Sequence, residues 1–346
     1  LPKRMGEFRQ RYEHHLLLKV SAQDAAATEA WLRGFFNDHE GGYFHCTADE
    51  GRKAFLHRFA IAGAAIRYGC EVTFMGADPA DPHRTRVAWT ENGEAHAIDG
   101  IDLLIGTDGR YSATRATFSG LPEARHVGVA ILRVLVQDRS QGLVDDYEQW
   151  FNRHHRLLAF RVPPDHIYIA GTYPIEAGAA IPEDWKTPEG MRRAFLPEGR
   201  EASPAVRWLV DAMCEQAEHA HWARMQESDV RFAEPVRQVL YLGDSAHGMA
   251  PTLGQGATQA MEDASCAALL IEAAVRAGQH EVRDWLNAID LARHERIRFA
   301  MELSVRATDT MLQGADPVAG ARWKTEDPFI DDLTRLFRDV ALGEKT

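Results

Sequence analysis

"GDSAHGMAPTLGQGATQAMEDA", residues 243–264, places a glycine-rich loop in the last third of a 346-residue chain. The apolar run "VLYLGD" (239–244) leads into it as a buried strand that delivers Asp244 at its end. An alanine-rich helix over 256–277, stopped by Gly278, leads out. Glycines at 254 and 256 let backbone N–H groups approach a ligand closely, and the helix dipole adds partial positive charge there. Such a loop suits an anion, or a ring that becomes anionic. Asp244 suits hydroxyl groups, because a carboxylate repels phosphate. Taken alone, the shape is equally that of a tight strand-to-helix turn with an acidic N-cap.

A second stretch repeats the pattern. "DLLIGTDGRYSATR", residues 102–115, reads as a buried strand, then Asp108-Gly109 at its end, then Ser112 and Arg115 opening a helix. Between the two, residues 127–173 are strand-rich: "VGVAILRVLVQ", "LLAFRV" and "HIYIAGTYPI" are β-branched or aromatic. Residues 188–222 read as helical, interrupted at Pro197 and Pro204. Upstream, "CEVTFM" is a strand and "RVAWTENGEAHAI" a hairpin turning at Asn92-Gly93. "GGYFHC" reads as a strand and "EGRKAFLHRFAIAGAAIRYG" as a helix, while residues 1–42 are hard to class. A second helix spans 281–312, and the tail carries the mixed helix "DPFIDDLTRLFRDV".

Composition narrows the function. With 39 basic and 51 acidic residues the net charge is −12, which argues against nucleic acid or an anionic membrane as the main partner. No apolar run approaches the ~20 residues of a membrane span. The four cysteines are scattered, without C-x-x-C spacing, so reduced thiols and a cytoplasmic location are expected. His219 and His221 form an H-x-H pair with no third ligand in view, and no metal is expected.

Together the two loops resemble the flavoprotein aromatic hydroxylases, the para-hydroxybenzoate hydroxylase family of single-component FAD-dependent monooxygenases. The family's GD signature is matched at Gly243, Asp244, Ala246, His247, Pro251, Gly254, Gln255, Gly256, Glu262, Asp263 and Ala264. Its D-G-x-x-S-x-x-R stretch is matched at Asp108, Gly109, Ser112 and Arg115. The resemblance implies an α/β (α+β) fold: an FAD/NAD(P)-binding Rossmann-like domain with a strand-rich substrate domain inserted. Residues 1–118 and 232–312 would form the flavin domain, 119–231 the sheet domain, and 313–346 a helical tail.

It also implies a chemistry. NADH or NADPH would reduce FAD, and O2 would be activated as a flavin C4a-hydroperoxide that hydroxylates a small, electron-rich, aromatic substrate. Asp244 would contact the ribityl chain, and Pro251 would lie near the ring. The amides of Gly254, Gln255 and Gly256 would face the pyrimidine edge, where charge develops on reduction. Asp108 and Gly109 would lie near the pyrophosphate, and Arg52 would reach the cofactor. For catalysis the candidates are His45 and Pro251, with Arg133 or Arg161 as further aids to substrate ionisation. Trp150, Phe160, Tyr168 and Tyr173 are candidate cavity walls. Epoxidation or Baeyer–Villiger insertion on a related fold stays open, as does a homodimer.

One family feature is missing. No G-x-G-x-x-G unit for the adenosine and pyrophosphate is present, and residues 1–42 are too few to hold both that unit and the long interval that follows it in the family. The chain opens at Leu1 without methionine, so the unit is expected outside this sequence. Two rival readings remain: a non-catalytic ligand-binding or scaffold domain of monooxygenase type, and an esterase with Ser245 as nucleophile and Asp290 and His294 in support.

Overall fold

The computed structural model describes residues 67, 69–145, 147–162 and 164–338. The chain divides between Tyr68 and Gly69, and apart from Arg67 the described residues belong to the unit that begins at Gly69. The expected strand "GGYFHC" and the helix after it, with His45 and Arg52, lie outside the described residues.

The unit opens with a meander, β1 (Cys70–Ala77), β2 (Thr85–Glu91) and β3 (Glu94–Ile101), all antiparallel. Asn92 (φ 51°) and Gly93 (φ 85°) both take left-handed conformations, as a two-residue hairpin turn of right-handed strands requires. β4 (Leu104–Gly106) follows, then the short helix α1 (Ala113–Ser119), capped by Ser112. β4 is shorter and less buried than its apolar sequence suggests. Among the described residues it is the edge of a three-stranded sheet in the order β10-β11-β4, and Ile105 is exposed. β10 is Ala233–Glu234 and β11 is Val239–Tyr241.

The middle of the chain forms a five-stranded antiparallel sheet, in the order β6-β7-β8-β5-β9. Its strands are β5 (Ala124–Gln137), β6 (Tyr147–Asn152), β7 (His155–Val162), β8 (His166–Pro174) and β9 (His221–Ser228). Strand alternation gives it two different faces. Ala130, Leu132, Val134, Leu157, Ile167 and Ile169 meet the helices α2 (Pro188–Phe195) and α3 (Pro204–Glu215). Val129, Ile131, Leu158, Ala170 and Met225 point the other way, onto Ala250 and Met311.

Pro204 does not break a helix but starts one. It occupies the first turn of α3, where a missing N–H costs nothing, and Ser203 caps that turn. The helical reading also ran too far. His221 and Trp222 already pair with Arg133 and Leu132 as the start of β9.

Two long helices complete the unit, α4 (Gln255–Arg276) and α5 (Val282–Arg306). α5 buries Leu286, Ile289 and Ile297 against Val239, Leu240 and Tyr241 of β11. The tail forms α6 (Pro317–Trp323) and α7 (Asp327–Arg338), which pack Trp323, Phe329 and Leu336 on Phe299, Leu303 and Leu253.

Candidate active site

The two loops picked out in the sequence are one structure. β11 runs parallel to β4, with Tyr241 opposite Gly106, so both strands release their loops at the same sheet edge. The Leu242 amide donates to the Gly106 carbonyl at 3.1 Å, and the Ser245 hydroxyl donates to the same oxygen at 2.7 Å. Arg115, only 2% exposed, reaches across from α1. Its Nη1 donates to the carbonyls of Ser245, Ala246 and Asp229, each at 3.2 Å, while Nη2 pairs with the Asp229 carboxylate. The matched arginine is therefore a bolt between loops. A charged donor on buried carbonyls is among the stronger hydrogen bonds available to a protein.

The GD loop rests on a buried ionic network. Asp263 of α4 accepts from the Gly243 amide at 3.0 Å and from His247 Nε2 at 2.5 Å, and it pairs with Arg293 of α5 at 2.8 Å. Glu262 takes Arg293 at 2.9 Å and both ends of the Arg296 fork at 2.9 Å. Arg293, Asp263 and His247 are each fully buried. Burial works to raise the Asp263 carboxyl, but the hydrogen bond and charge of His247 and the Arg293 cation outweigh it and hold it below the ordinary range. The sequence signature at Glu262 and Asp263 is thus a support for the loop, anchored thirty residues downstream.

The upper surface of the loop is different. From Val239 to Ala250 every residue is buried except Asp244, whose carboxylate has no partner among the described residues. Gly254 (φ 65°) occupies the left-handed region before α4, and a Cβ there would meet nothing within 4 Å. No side chain caps α4 and no acid stands in its first turn. A Cβ on Gly256 would stand 3.9 Å from Asp244 Oδ1, so the free carboxylate lies beside the free amides. Unspent donors at a helix N-terminus next to one unspent acceptor fit a group with a carbonyl-bearing ring and a hydroxylated chain, and FAD has both. Pro251 is exposed at the rim. Gln255 turns its side chain inward to Gln259, leaving only its backbone for a ligand.

Asp108 is exposed but engaged. It accepts from the Ser112 hydroxyl at 2.5 Å and from the Thr114 amide at 2.8 Å. Burial works to raise it, and these two bonds prevail and lower it. It shapes the Gly109 turn and the start of α1.

Of the candidate wall residues, Phe160 and Tyr168 lie on the sheet face that meets Ala250, with rings stacked at 4.8 Å. Trp150 and Tyr173 lie on the opposite face, in the core with α2 and α3. Arg133 is on the Phe160 face. Arg161 is out of phase, half-exposed and 3.8 Å from Asp138. The residue missed from sequence is Arg156. It shares the face of Leu158 and Phe160, is 8% exposed, and its Nε has no acceptor. No acid pairs with its guanidinium among the described residues. The signal was there: in "HRLLAFRV" an arginine keeps phase with apolar positions.

Burial raises the Tyr168 phenol against the lowering charges of Arg133 and Arg156, so it stays a hydrogen-bond donor at neutral pH. Ser245 is fully buried and donates to two carbonyls, which removes it as an esterase nucleophile. Among the described residues no histidine, cysteine or acid cluster could hold a metal, and no helix is long and apolar enough to cross a membrane.

Two families match. Residues 1–76 match one described as D-lactate dehydrogenase, membrane binding, and residues 44–305 match one described as an FAD binding domain. The chain is similar to the quinone-dependent D-lactate dehydrogenase of Escherichia coli, 56% identical over 68 residues, covering 20% of this chain and 12% of that protein. It is also similar to the FAD-dependent monooxygenase mdpD of Emericella nidulans, 29% identical over 300 residues, covering 78% of this chain and 55% of that one. The chain thus spans an eighth of the first relative and about half of the second. Among solved structures, Klebsiella pneumoniae HpxO complexed with FAD and uric acid shares the fold, with a TM-score of 0.64 at 21% identity over 87% of this chain and 73% of that one. Arg52 and His45 fall where the two family matches overlap, at residues 44–76. From residue 44 to residue 305 the chain belongs to the FAD-binding domain family of the FAD-dependent aromatic hydroxylases.

Proposed function

We propose that the chain acts as an FAD-dependent monooxygenase, inserting one atom of O2 into a small aromatic substrate with NADH or NADPH as reductant. The observation that carries this is the surface of the GD loop: an uncapped α4 N-terminus with the lone exposed carboxylate of Asp244 beside it. Bound there, FAD supplies the electron transfer and oxygen activation. The chain's own groups do the rest. Asp244 accepts from hydroxyls of the cofactor chain, and the amides at Gln255 and Gly256 stabilise negative charge on the ring edge, whereas the Gly254 amide is spent on the Pro251 carbonyl at 3.1 Å. Gly109 and Asp108 keep the neighbouring turn in place. The Phe160 and Tyr168 rings and the Arg156 guanidinium hold the substrate on the sheet face and keep water from it.

The test is a titration of the purified chain with FAD, followed by NAD(P)H consumption across a panel of aromatic compounds. Uptake of FAD with a flavin absorbance spectrum, and substrate-dependent NAD(P)H oxidation, are expected. A chain that takes up no FAD would sink the reading.

A second activity is supported by residues 1–76. We propose that they bring the chain to a membrane surface, as their similarity to a membrane-binding segment suggests. Within residues 1–19, Lys3, Arg4, Arg9, Arg11 and Lys19 outnumber Glu7 and Glu13, a local charge bias that favours anionic headgroups. Co-sedimentation with phosphatidylglycerol vesicles at low salt, lost with phosphatidylcholine vesicles, is the expected result. No sedimentation with phosphatidylglycerol vesicles would rule it out, and equal sedimentation with both would remove the charge bias as its cause.

A further inference from the structure

The middle sheet has a second side. One face meets Ala250 of the GD loop, and the other packs on α2 and α3. β9 is an edge of that sheet, and its Trp222 and Arg224 stand opposite Leu132 and Ala130 of β5, on the helix side. Against them lies the segment that follows β8. Ile181, Glu183 and Lys186 of this segment, with Trp222 and Arg224, are among the residues that line a cleft of about 530 Å3, open to solvent. That volume suits a small molecule.

The cleft is short of acceptors and of negative charge. Arg224 spends Nη1 on the Ala179 carbonyl at 3.1 Å, which holds the segment against β9, and no acid pairs with it among the described residues. Lys186 is matched by Glu183 at 2.6 Å, so the charged lining is two cations against one acid, in a chain of net charge −12. The Trp222 indole nitrogen is buried and has no acceptor among the described residues. Its ring lies 5.3 Å from that of Tyr173, which is 1% exposed and whose hydroxyl is unmatched too. Trp185, beside Lys186 in the chain, stacks on Tyr173 at 4.9 Å. Buried donors are nearly always matched, so two neighbouring ones without an acceptor point to one supplied from outside the chain.

We propose that this cleft is a second ligand site, which takes a small planar anion with its ring on Trp222 and Ile181 and its negative group at Arg224 and Lys186. The apolar part of the ligand covers the indole, and an oxygen of the anionic group accepts from the indole N–H. Arg224 offers the remaining donors of a planar fork, and Lys186 adds a point charge from the facing segment. The sheet stands between this cleft and the GD loop, so its occupant binds independently of FAD. The site is thus separate from the one proposed for the monooxygenase substrate, and it stands whether or not that reading holds.

The test is equilibrium dialysis of the full chain against naphthalene sulfonate and the neutral naphthalene sulfonamide, with and without saturating FAD. Wild-type protein is expected to retain the sulfonate at one site per chain, in preference to the sulfonamide, and equally well in the presence of FAD. Arg224→Gln should weaken the sulfonate roughly tenfold, as loss of one nearby charge predicts, and Arg224→Lys should restore most of the affinity. Glu183→Gln removes an exposed acid with no packing role, so it should tighten the sulfonate about threefold at an unchanged melting temperature. Trp222→Phe keeps a ring and removes the donor, so it should weaken both compounds. A purely structural Arg224 or Glu183 would not shift the sulfonate against the sulfonamide. No retention of the sulfonate, no preference for it, displacement of it by FAD, or an unchanged preference in both Arg224→Gln and Glu183→Gln would each overturn the proposal.

Discussion

Asp244 is the single exposed position in a run of buried residues, and that isolation gives a clean experiment. Asp244→Ala removes no packing and no internal hydrogen bond, so stability should stay within about 0.5 kcal/mol in a thermal melt. FAD affinity, read by quenching of flavin fluorescence, should fall at least tenfold, the loss of one hydrogen bond to a charged group. Unchanged FAD affinity would remove Asp244 from the site. Arg115 is the opposite kind of residue. Arg115→Met leaves the carbonyls of Ser245, Ala246 and Asp229 without their donor. It should cost about 3 kcal/mol or more in urea unfolding, because buried acceptors lose a charged partner.

At the scale of elements, α4 is held at both levels of its first turns. Gly254 sets the entry angle at φ 65°. Gly254→Ala meets no steric obstacle, so its cost should be the left-handed backbone alone, about 1–2 kcal/mol, with weaker FAD binding as the loop shifts. A change below the resolution of the melt would mean that the loop readily adopts another path. Beneath, α5 ties α4 to the GD loop through Arg293. Arg293→Met leaves Asp263 and Glu262 short of a buried partner and should cost about 3–5 kcal/mol.

The pH dependence follows from Asp263. Its folded-state pKa lies below the unfolded value near 3.9. The stability it contributes is therefore fully present above about pH 5 and is lost as pH falls through the unfolded and then the folded pKa. Asp263→Asn should flatten the acid limb of the stability curve while lowering the plateau. An acid limb of unchanged slope would show that other carboxylates carry it.

For the whole molecule, the tail joins three parts that are distant in sequence. Leu253 of the GD loop, Phe299 of α5 and Trp323 of α6 share one apolar cluster with Phe329 and Leu336. Arg296 adds a bond to the Leu336 carbonyl at 2.6 Å. A chain ending at residue 312 should lose roughly 3–6 kcal/mol, from the burial of Phe329 and Leu336 alone, and should bind FAD less well because Leu253 loses its support. A shortened chain with wild-type stability and FAD affinity would show that the tail is dispensable to the site.

The sequence by itself determined the loop chemistry. A strand, a glycine pair and a helix, with Asp244 between, is a local arrangement, and local arrangements are written in consecutive residues. The hairpin at Asn92-Gly93 and the strands of the middle sheet were legible for the same reason, through turn residues and alternation. What only the tertiary structure decided depends on contacts between distant positions. The bolt from Arg115 to the GD loop crosses 130 residues, and the pairing of Arg293 with Asp263 joins two helices. The sequence marked these residues as a motif but did not say which were support and which were surface. Strand phase made Arg156 readable in principle, yet the lack of an acceptor for its Nε among the described residues is a property of everything around it. Lys324 shows the limit most clearly. Nothing in a polar tail announces a pair with Asp309, because that pair exists only once α6 has docked on the Asp309–Met311 turn.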